Sequence, residues 1–274
     1  MVFWIAIFAF PFFAIAAHSQ SDGKAAETES TAVTDLSEPE ANPGRPTVSN
    51  PATITPVGYL QFESGALGAG SSLEFSSLYQ FSEVVKLAVA KRLAVSVSTT
   101  PLVHSTVNGQ SANGTAEVFL GGQAVLYAGS GATPTFSASY TRRLYAGNTP
   151  DFDVGSPLNS GIFYASADVH GFHYDANVIF NEVVNPPVRR LQFGQSLSIS
   201  HPLGKGFSLS GEIWRFSQPF VRGNAIGNLW AASYSARKNL VLDAGFEKGL
   251  TGTSTRWEVF VGFTYLLPHR LWRQ

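Results

Sequence analysis

Seven acids and six bases recur on the polar side of an alternating pattern that runs through most of the chain. The acids are Glu63, Glu117, Asp168, Asp175, Glu212, Asp243 and Glu258, and the bases are Lys86, Arg92, Arg143, Arg190, Arg237 and Arg256. Gln61 stands on the same side. Such a set does its chemistry in a wet interior. It either tunes the selectivity of a polar pore or forms ion pairs that stiffen and partly fill it. Seven against six is nearly balanced, which argues against strong selectivity for anions or cations. His170 and His173 flank a turn with Asp168 and Asp175 on the same side. Imidazole and carboxylate suit a metal, but a wet turn accounts for these residues equally well, and no metal or cofactor is expected. Serines are plentiful and His104 or His201 could serve as a base. No nucleophile elbow singles out one serine, so no catalytic residue is assigned. The glycines form no phosphate-cradling motif on a strand-to-helix turn.

These residues need strands to position them. From Arg256 to Leu267, Trp257, Val259, Val261, Phe263, Tyr265 and Leu267 share one face, and Arg256, Glu258, Phe260, Gly262, Thr264 and Leu266 share the other. Strict period-two alternation is the strand signature, and six large apolar side chains in a row need a large apolar surface to lie against. The pattern recurs in about twelve strands: 57–67, 74–90, 92–103, 115–128, 133–146, 160–170, 171–183, 189–201, 206–217, 227–237, 239–248 and 255–267. It stumbles once, at Ser82-Glu83, where a bulge or a turn is expected. Short turns near Lys91, Gly129-Ser130-Gly131, His170-Gly171, 201–205 and Lys238 alternate with mostly longer loops, notably 104–114, 147–159, 218–226 and 249–254. The prolines after residue 56 are expected in connections (Pro150, Pro157, Pro186, Pro187, Pro202, Pro219), at strand ends (Pro101, Pro134) or beyond the last strand (Pro268), since proline cannot donate to a ladder. This is the layout of an all-β, transmembrane, antiparallel up-and-down barrel with short periplasmic turns and longer external loops. A secreted β-sandwich also alternates, but would carry more charge outside.

Composition agrees. Charged residues are 14%, against roughly 25% in soluble domains, while 26 Gly and 21 Phe are present. There is no Cys, which excludes a disulfide scaffold or a thiolate site. A net charge of −1 offers nothing to nucleic acid. Residues 1–17 are almost wholly apolar and read as a secretory signal peptide, with Ala14, Ala16 and Ala17 near the cleavage point. Residues 18–56 read as a disordered, acidic, Pro-rich linker, with six acids against Lys24 and Arg45. The barrel is expected over 57–267, with a tail over 268–274.

The closing strand resembles the C-terminal β-signal of outer-membrane barrels at Gly262, Tyr265 and Leu267. A second resemblance starts at Arg45-Pro46-Thr47-Val48-Ser49-Asn50-Pro51-Ala52 and continues through Gly58-Tyr59-Leu60-Gln61-Phe62-Glu63-Ser64-Gly65. This stretch looks like the entry segment and first strand of the outer-membrane transporter-like barrels named for the meta-pathway of phenol degradation, and the likeness extends over about residues 45–267. It implies passive passage of small solutes, including aromatic or hydrophobic ones, across the outer membrane of a Gram-negative-type cell. The implied partners are membrane lipid, such solutes and the barrel-insertion machinery. The alternatives are a closed structural or adhesion barrel whose external loops bind a ligand, and a barrel hydrolase. Whether residues 43–56 plug the lumen is left open by the sequence.

Overall fold

The computed structural model describes residues 39–150, 157–185 and 187–272 of the 274. The expected signal peptide and the first part of the linker lie outside the described residues. Among these residues there are thirteen strands and no helix. They are β1 (Leu60–Gly70), β2 (Ser77–Ala90), β3 (Leu93–Val107), β4 (Gln110–Gly114), β5 (Val118–Tyr127), β6 (Thr135–Tyr145), β7 (Pro157–Val169), β8 (Phe172–Asn185), β9 (Val188–Gly204), β10 (Phe207–Ser217), β11 (Asn224–Arg237), β12 (Leu240–Gly249) and β13 (Trp257–Leu266).

Twelve of them are staves of one antiparallel barrel. β1 pairs with β2 on one side and with β13 on the other, so the ring of twelve staves has no free edge, and only β4, which pairs with β3 alone, stands outside it. Closure satisfies every ladder donor inside the sheet, which is the condition for crossing a bilayer with strands. In the closing seam Phe62 faces Tyr265, Glu63 faces Thr264 and Gly65 faces Gly262. Alternation decides what each wall shows. On β13, Trp257, Val259, Val261 and Phe263 are exposed, while Glu258, Phe260, Thr264 and Leu266 between them are buried. On β8, Val178 and Phe180 are exposed, and Asp175, Asn177, Ile179 and Asn181 are buried. A barrel with its apolar side chains outside and its polar ones inside is inverted relative to a soluble core. It requires a lipid surround.

Four details differ from the sequence expectation. The expected loop 104–114 is a hairpin that extends β3: β4 pairs with Val103–Val107 through a tight turn at Asn108-Gly109, both at positive φ (51° and 78°). Asn-Gly is the residue pair such a turn favours. Pro101 lies inside β3, where the ladder to β2 skips from Leu102 to Thr99. Pro202 likewise lies inside β9, where the ladder to β10 shifts. At such irregularities no ladder donor is required, so proline is tolerated. The stumble at Ser82-Glu83 agrees with the expected bulge: it is the β2 side of the Pro101 irregularity, and the strand runs through it unbroken. Last, the linker is a bound segment from at least Ala41 onward: its backbone is tied into the barrel, as described next.

Candidate functional site

Residues 41–56 enter the lumen from the end with short turns and return to it. Ala41 N donates to Lys238 O at 2.8 Å on the way in, and Gly58 N donates to Ala88 O at 2.8 Å on the way out. The C-terminal tail closes over the same end, where Leu271 N donates to Gly58 O and Arg270 Nε to Val57 O. Between these points the segment carries four prolines, Pro43, Pro46, Pro51 and Pro56, which have no N–H to satisfy. The N–H groups of Asn42, Gly44, Val48, Ser49, Asn50 and Ala52 find side chains on the wall.

The strands supply the partners in order around the barrel. From β1, Gln61 accepts from Asn42 N (2.9 Å) and donates to Asn42 O (2.7 Å), and Glu63 accepts from Gly44 N (3.0 Å). Lys86 Nζ on β2 lies 2.6 Å from Glu63. From β12, Asp243 takes a two-point contact from Arg45, Nε at 3.3 Å and Nη2 at 3.1 Å. From β10, Glu212 accepts from Val48 N (2.7 Å) and Ser49 N (2.6 Å), and lies 2.6 Å from Ser49 Oγ. From β8, Asn177 accepts from Asn50 N and donates back to Asn50 O. From β7, Ser166 accepts from Ala52 N and donates to Asp175. From β5, Gln123 donates to Pro51 O and Ala52 O. A carboxylate accepting several N–H bonds is a strong acceptor in a site removed from bulk water. Glu63, Glu212 and Asp243 are 3%, 5% and 7% exposed.

Arg45 is seated by shape as well as charge. Gly65 on β1, Gly262 on β13 and Asp243 on β12 are in register across three neighbouring strands. A Cβ at either glycine would collide with the guanidinium. Two bare backbones thus make a flat seat, with Asp243 beside it and Phe260 at 6.0 Å from Arg45 Cζ. Planar stacking and a two-point carboxylate bond are what arginine offers and lysine does not.

Above the segment, toward the long connections, a vestibule of about 300 Å³ remains. Val48 forms part of its floor with Ile162, Ile179 and Phe216; Ser98, Phe119, Thr141, Pro157, Ser160, Asn181 and Glu117 complete it. Below, a cavity of about 40 Å³ lies between the segment and β2, β3 and β5. Behind the vestibule wall, Trp214 packs on Phe216 at 5.7 Å, with its buried Nε1 unpartnered.

Of the lumen candidates, Gln61, Glu63, Lys86, Asp175, Glu212 and Asp243 converge on the bound segment. Glu117 and Arg143 are half-buried near the vestibule end, and Glu258 is buried on β13. Arg92 lies in the β2–β3 turn and Arg256 in the β12–β13 connection, both exposed. Asp168 is exposed at the end of β7, and Arg190 is exposed near the start of β9, over the Phe220 ring. Arg237 is exposed at the end of β11. His173 spends both ring nitrogens on carboxylates, Nδ1 on Asp168 at 2.7 Å and Nε2 on Asp175 at 3.2 Å. No group of three metal-ligating residues is found among the described residues. His104 Nδ1 pairs with Asn113 and His201 Nδ1 with Gly171 O, so these two nitrogens are not directed at a serine. Sequence reasoning missed Arg45, Ser49, Asn50, Gln123, Ser166 and Asn177. Arg45 carried two signals: it is one of two cations, with Lys24, in an acidic stretch, and it opens the segment that carries the family resemblance.

No family model matches the chain, and no curated protein matches it. Among solved structures the chain is similar to an outer-membrane channel from Pseudomonas putida F1, with a TM-score of 0.57 at 12% identity over 79% of this chain and 98% of that one. It is similar to the NanC porin (TM-score 0.55, 10% identity, 76% of this chain and 100% of that one) and to the KdgM porin (0.51, 12%, 75% and 98%). At these identities the likeness is one of fold: a closed antiparallel barrel of the outer-membrane type.

Proposed function

We propose that this chain is an outer-membrane channel through which small solutes pass without catalysis, and that residues 41–56 hold it shut in the arrangement seen here. The observation that carries this reading is the bridged lumen. Twelve strands enclose more space than side chains alone fill, since about eight strands suffice for a filled interior. The chain spends a segment of its own on that space, held by side-chain bonds rather than by strand pairing. Such bonds can exchange for water singly, whereas a fused strand could not leave without breaking the sheet. The likeness to channel and porin barrels supports the outer membrane as the location and a non-enzymatic role. The β-signal resemblance of β13 supports insertion by barrel-assembly machinery.

The vestibule suggests the solute. Val48, Phe119, Pro157, Ile162, Ile179 and Phe216 give it an apolar floor and wall, and Ser98, Thr141, Ser160 and Asn181 give it neutral hydrogen-bonding groups beside one carboxylate, Glu117. A small, uncharged molecule with an apolar body and a hydroxyl or carbonyl fits that lining. This agrees with the expectation drawn from the meta-pathway resemblance, to which family we assign the chain as part of this proposal. Swelling of proteoliposomes in phenol-sized neutral solutes tests it. Swelling faster than in equally sized ions is the expected result, and swelling no faster than protein-free liposomes overturns it. The bridged lumen would also suit a closed structural barrel. That reading gains if removing the segment opens no conductance.

A further inference from the structure

One sector of the outer wall breaks the apolar pattern at the external end. Arg142 on β6, Arg189 on β9 and Arg215 on β10 are exposed. Each lies on the outward row: Arg142 follows Phe136 and Tyr140, Arg189 precedes Leu191, and Arg215 follows Leu209 and Ile213, all of them exposed. Two of the arginines are held in one hydrogen-bonded ladder across four strands. Tyr140 Oη and Arg142 Nη1 both donate to Asn159 Oδ1, at 2.5 and 3.3 Å. Asn159 Nδ2 donates to Glu182, which also accepts from Arg189 Nη1 at 3.1 Å. Arg215 donates to Asn224 Oδ1 at 3.3 Å. Three cations stand against the single acid of this ladder. Next to it on the same face lies an aromatic strip, Phe163 to Phe180 at 6.4 Å and Phe180 to Phe193 at 5.5 Å.

A membrane interface surrounds a barrel evenly, so arginines that merely snorkel would be spread around it. At the external end of the other strands Lys248 on β12, two strands beyond Arg215, is the one outward-facing cation among the described residues, so the outward cations of that end all lie between β6 and β12. The concentration on β6–β10 calls for a ligand with localised negative charge and long apolar chains. Guanidinium matches phosphate with two parallel donors. Arg142 and Arg189 are three strand intervals apart, at about 4.8 Å each, too far for a single phosphate to bridge. We infer that this face docks a glycolipid of the outer leaflet carrying two phosphates. One phosphate sits at Arg142, the other at Arg189 and Arg215, and the acyl chains run along Phe163, Phe180 and Phe193. The inference depends on which end of the barrel faces outward and not on conduction.

The test uses the full-length protein in neutral detergent micelles, titrated with diphosphorylated lipid A, with the same lipid after phosphate removal, and with inorganic pyrophosphate. Bound lipid is read by native mass spectrometry, and stability by the thermal midpoint. The expected result is retention of one diphosphorylated lipid per chain with a raised midpoint. The dephosphorylated lipid should be retained at least tenfold more weakly. The triple variant R142Q/R189Q/R215Q should raise the half-saturating concentration at least tenfold, and K91Q, exposed in the β2–β3 turn at the opposite end of the barrel, should leave it unchanged. Equal retention of the two lipids, equal binding by the triple variant, or the same midpoint shift from pyrophosphate alone would overturn the inference. The comparison of the two lipids on the unmodified protein decides the matter even if the triple variant fails to assemble.

Discussion

Arg45 and Asp243 form the one ion pair between the bound segment and the wall among the described residues. Asp243 is 2% exposed at its side chain, and its partner reaches it from a segment with no strand pairing of its own. Replacing Arg45 with Ala leaves that carboxylate buried and unpaired, which costs on the order of 3 kcal/mol. The expected outcome is release of the segment, read as faster proteolysis within 41–56 while the barrel stays heat-modifiable on a detergent gel. The double variant R45A/D243A should be less perturbed than R45A alone, and additive effects would show that the pair is not coupled. Gly65→Val should act like R45A, because the added side chain occupies the guanidinium seat. Glu212→Gln replaces a charged acceptor of two backbone N–H groups, and hydrogen bonds to charged groups are worth about 1.5–3 kcal/mol. Partial release is expected there. Glu63, Glu212 and Asp243 were legible as lumen residues because they fall on the polar side of alternating strands. Their partners on the bound segment, the N–H groups of Gly44, Val48 and Ser49 and the side chains of Arg45 and Ser49, were not legible, because that segment has no periodicity.

At the scale of strands, the number, order and facing of the staves could be read from alternation, since a one-residue slip would turn every apolar side chain inward. What could not be read were the irregularities: Pro101 and Pro202 inside strands, and the hairpin of β4 mistaken for a loop despite Asn108-Gly109. These depend on where a ladder skips, which alternation alone does not encode. The facing makes a measurable claim. Val261 is 58% exposed on the outer wall, and an arginine there should cost about 2–4 kcal/mol of folding stability in lipid. Ser98→Arg, in the vestibule, should cost less. Equal costs by reversible unfolding in vesicles would mean that the walls are assigned the wrong way round. Glu83 is a second carboxylate on the outer wall, apart from Glu182: it opposes Ser64, which faces the exposed Phe263, and accepts the Ser64 hydroxyl. A carboxylate facing lipid is costly, so Glu83→Val should raise the unfolding midpoint, while an unchanged midpoint would mean that the carboxylate is shielded from lipid.

For the molecule as a whole, closure of the sheet and occupation of its interior are separate achievements of the chain. The barrel is closed by β1 and β13 without help from residues 41–56. The segment fills what closure leaves, at its narrow end, and leaves a vestibule at the other. The central claim is that this segment is what stands between a closed barrel and an open channel. Single-channel conductance in planar bilayers, comparing the unmodified protein with a variant lacking residues 41–56, tests it most directly. The account predicts small or infrequent currents from the former and a stable conductance several-fold larger from the latter, with R45A in between. Identical currents from both proteins, or none from the variant although it is inserted and heat-modifiable, would contradict it.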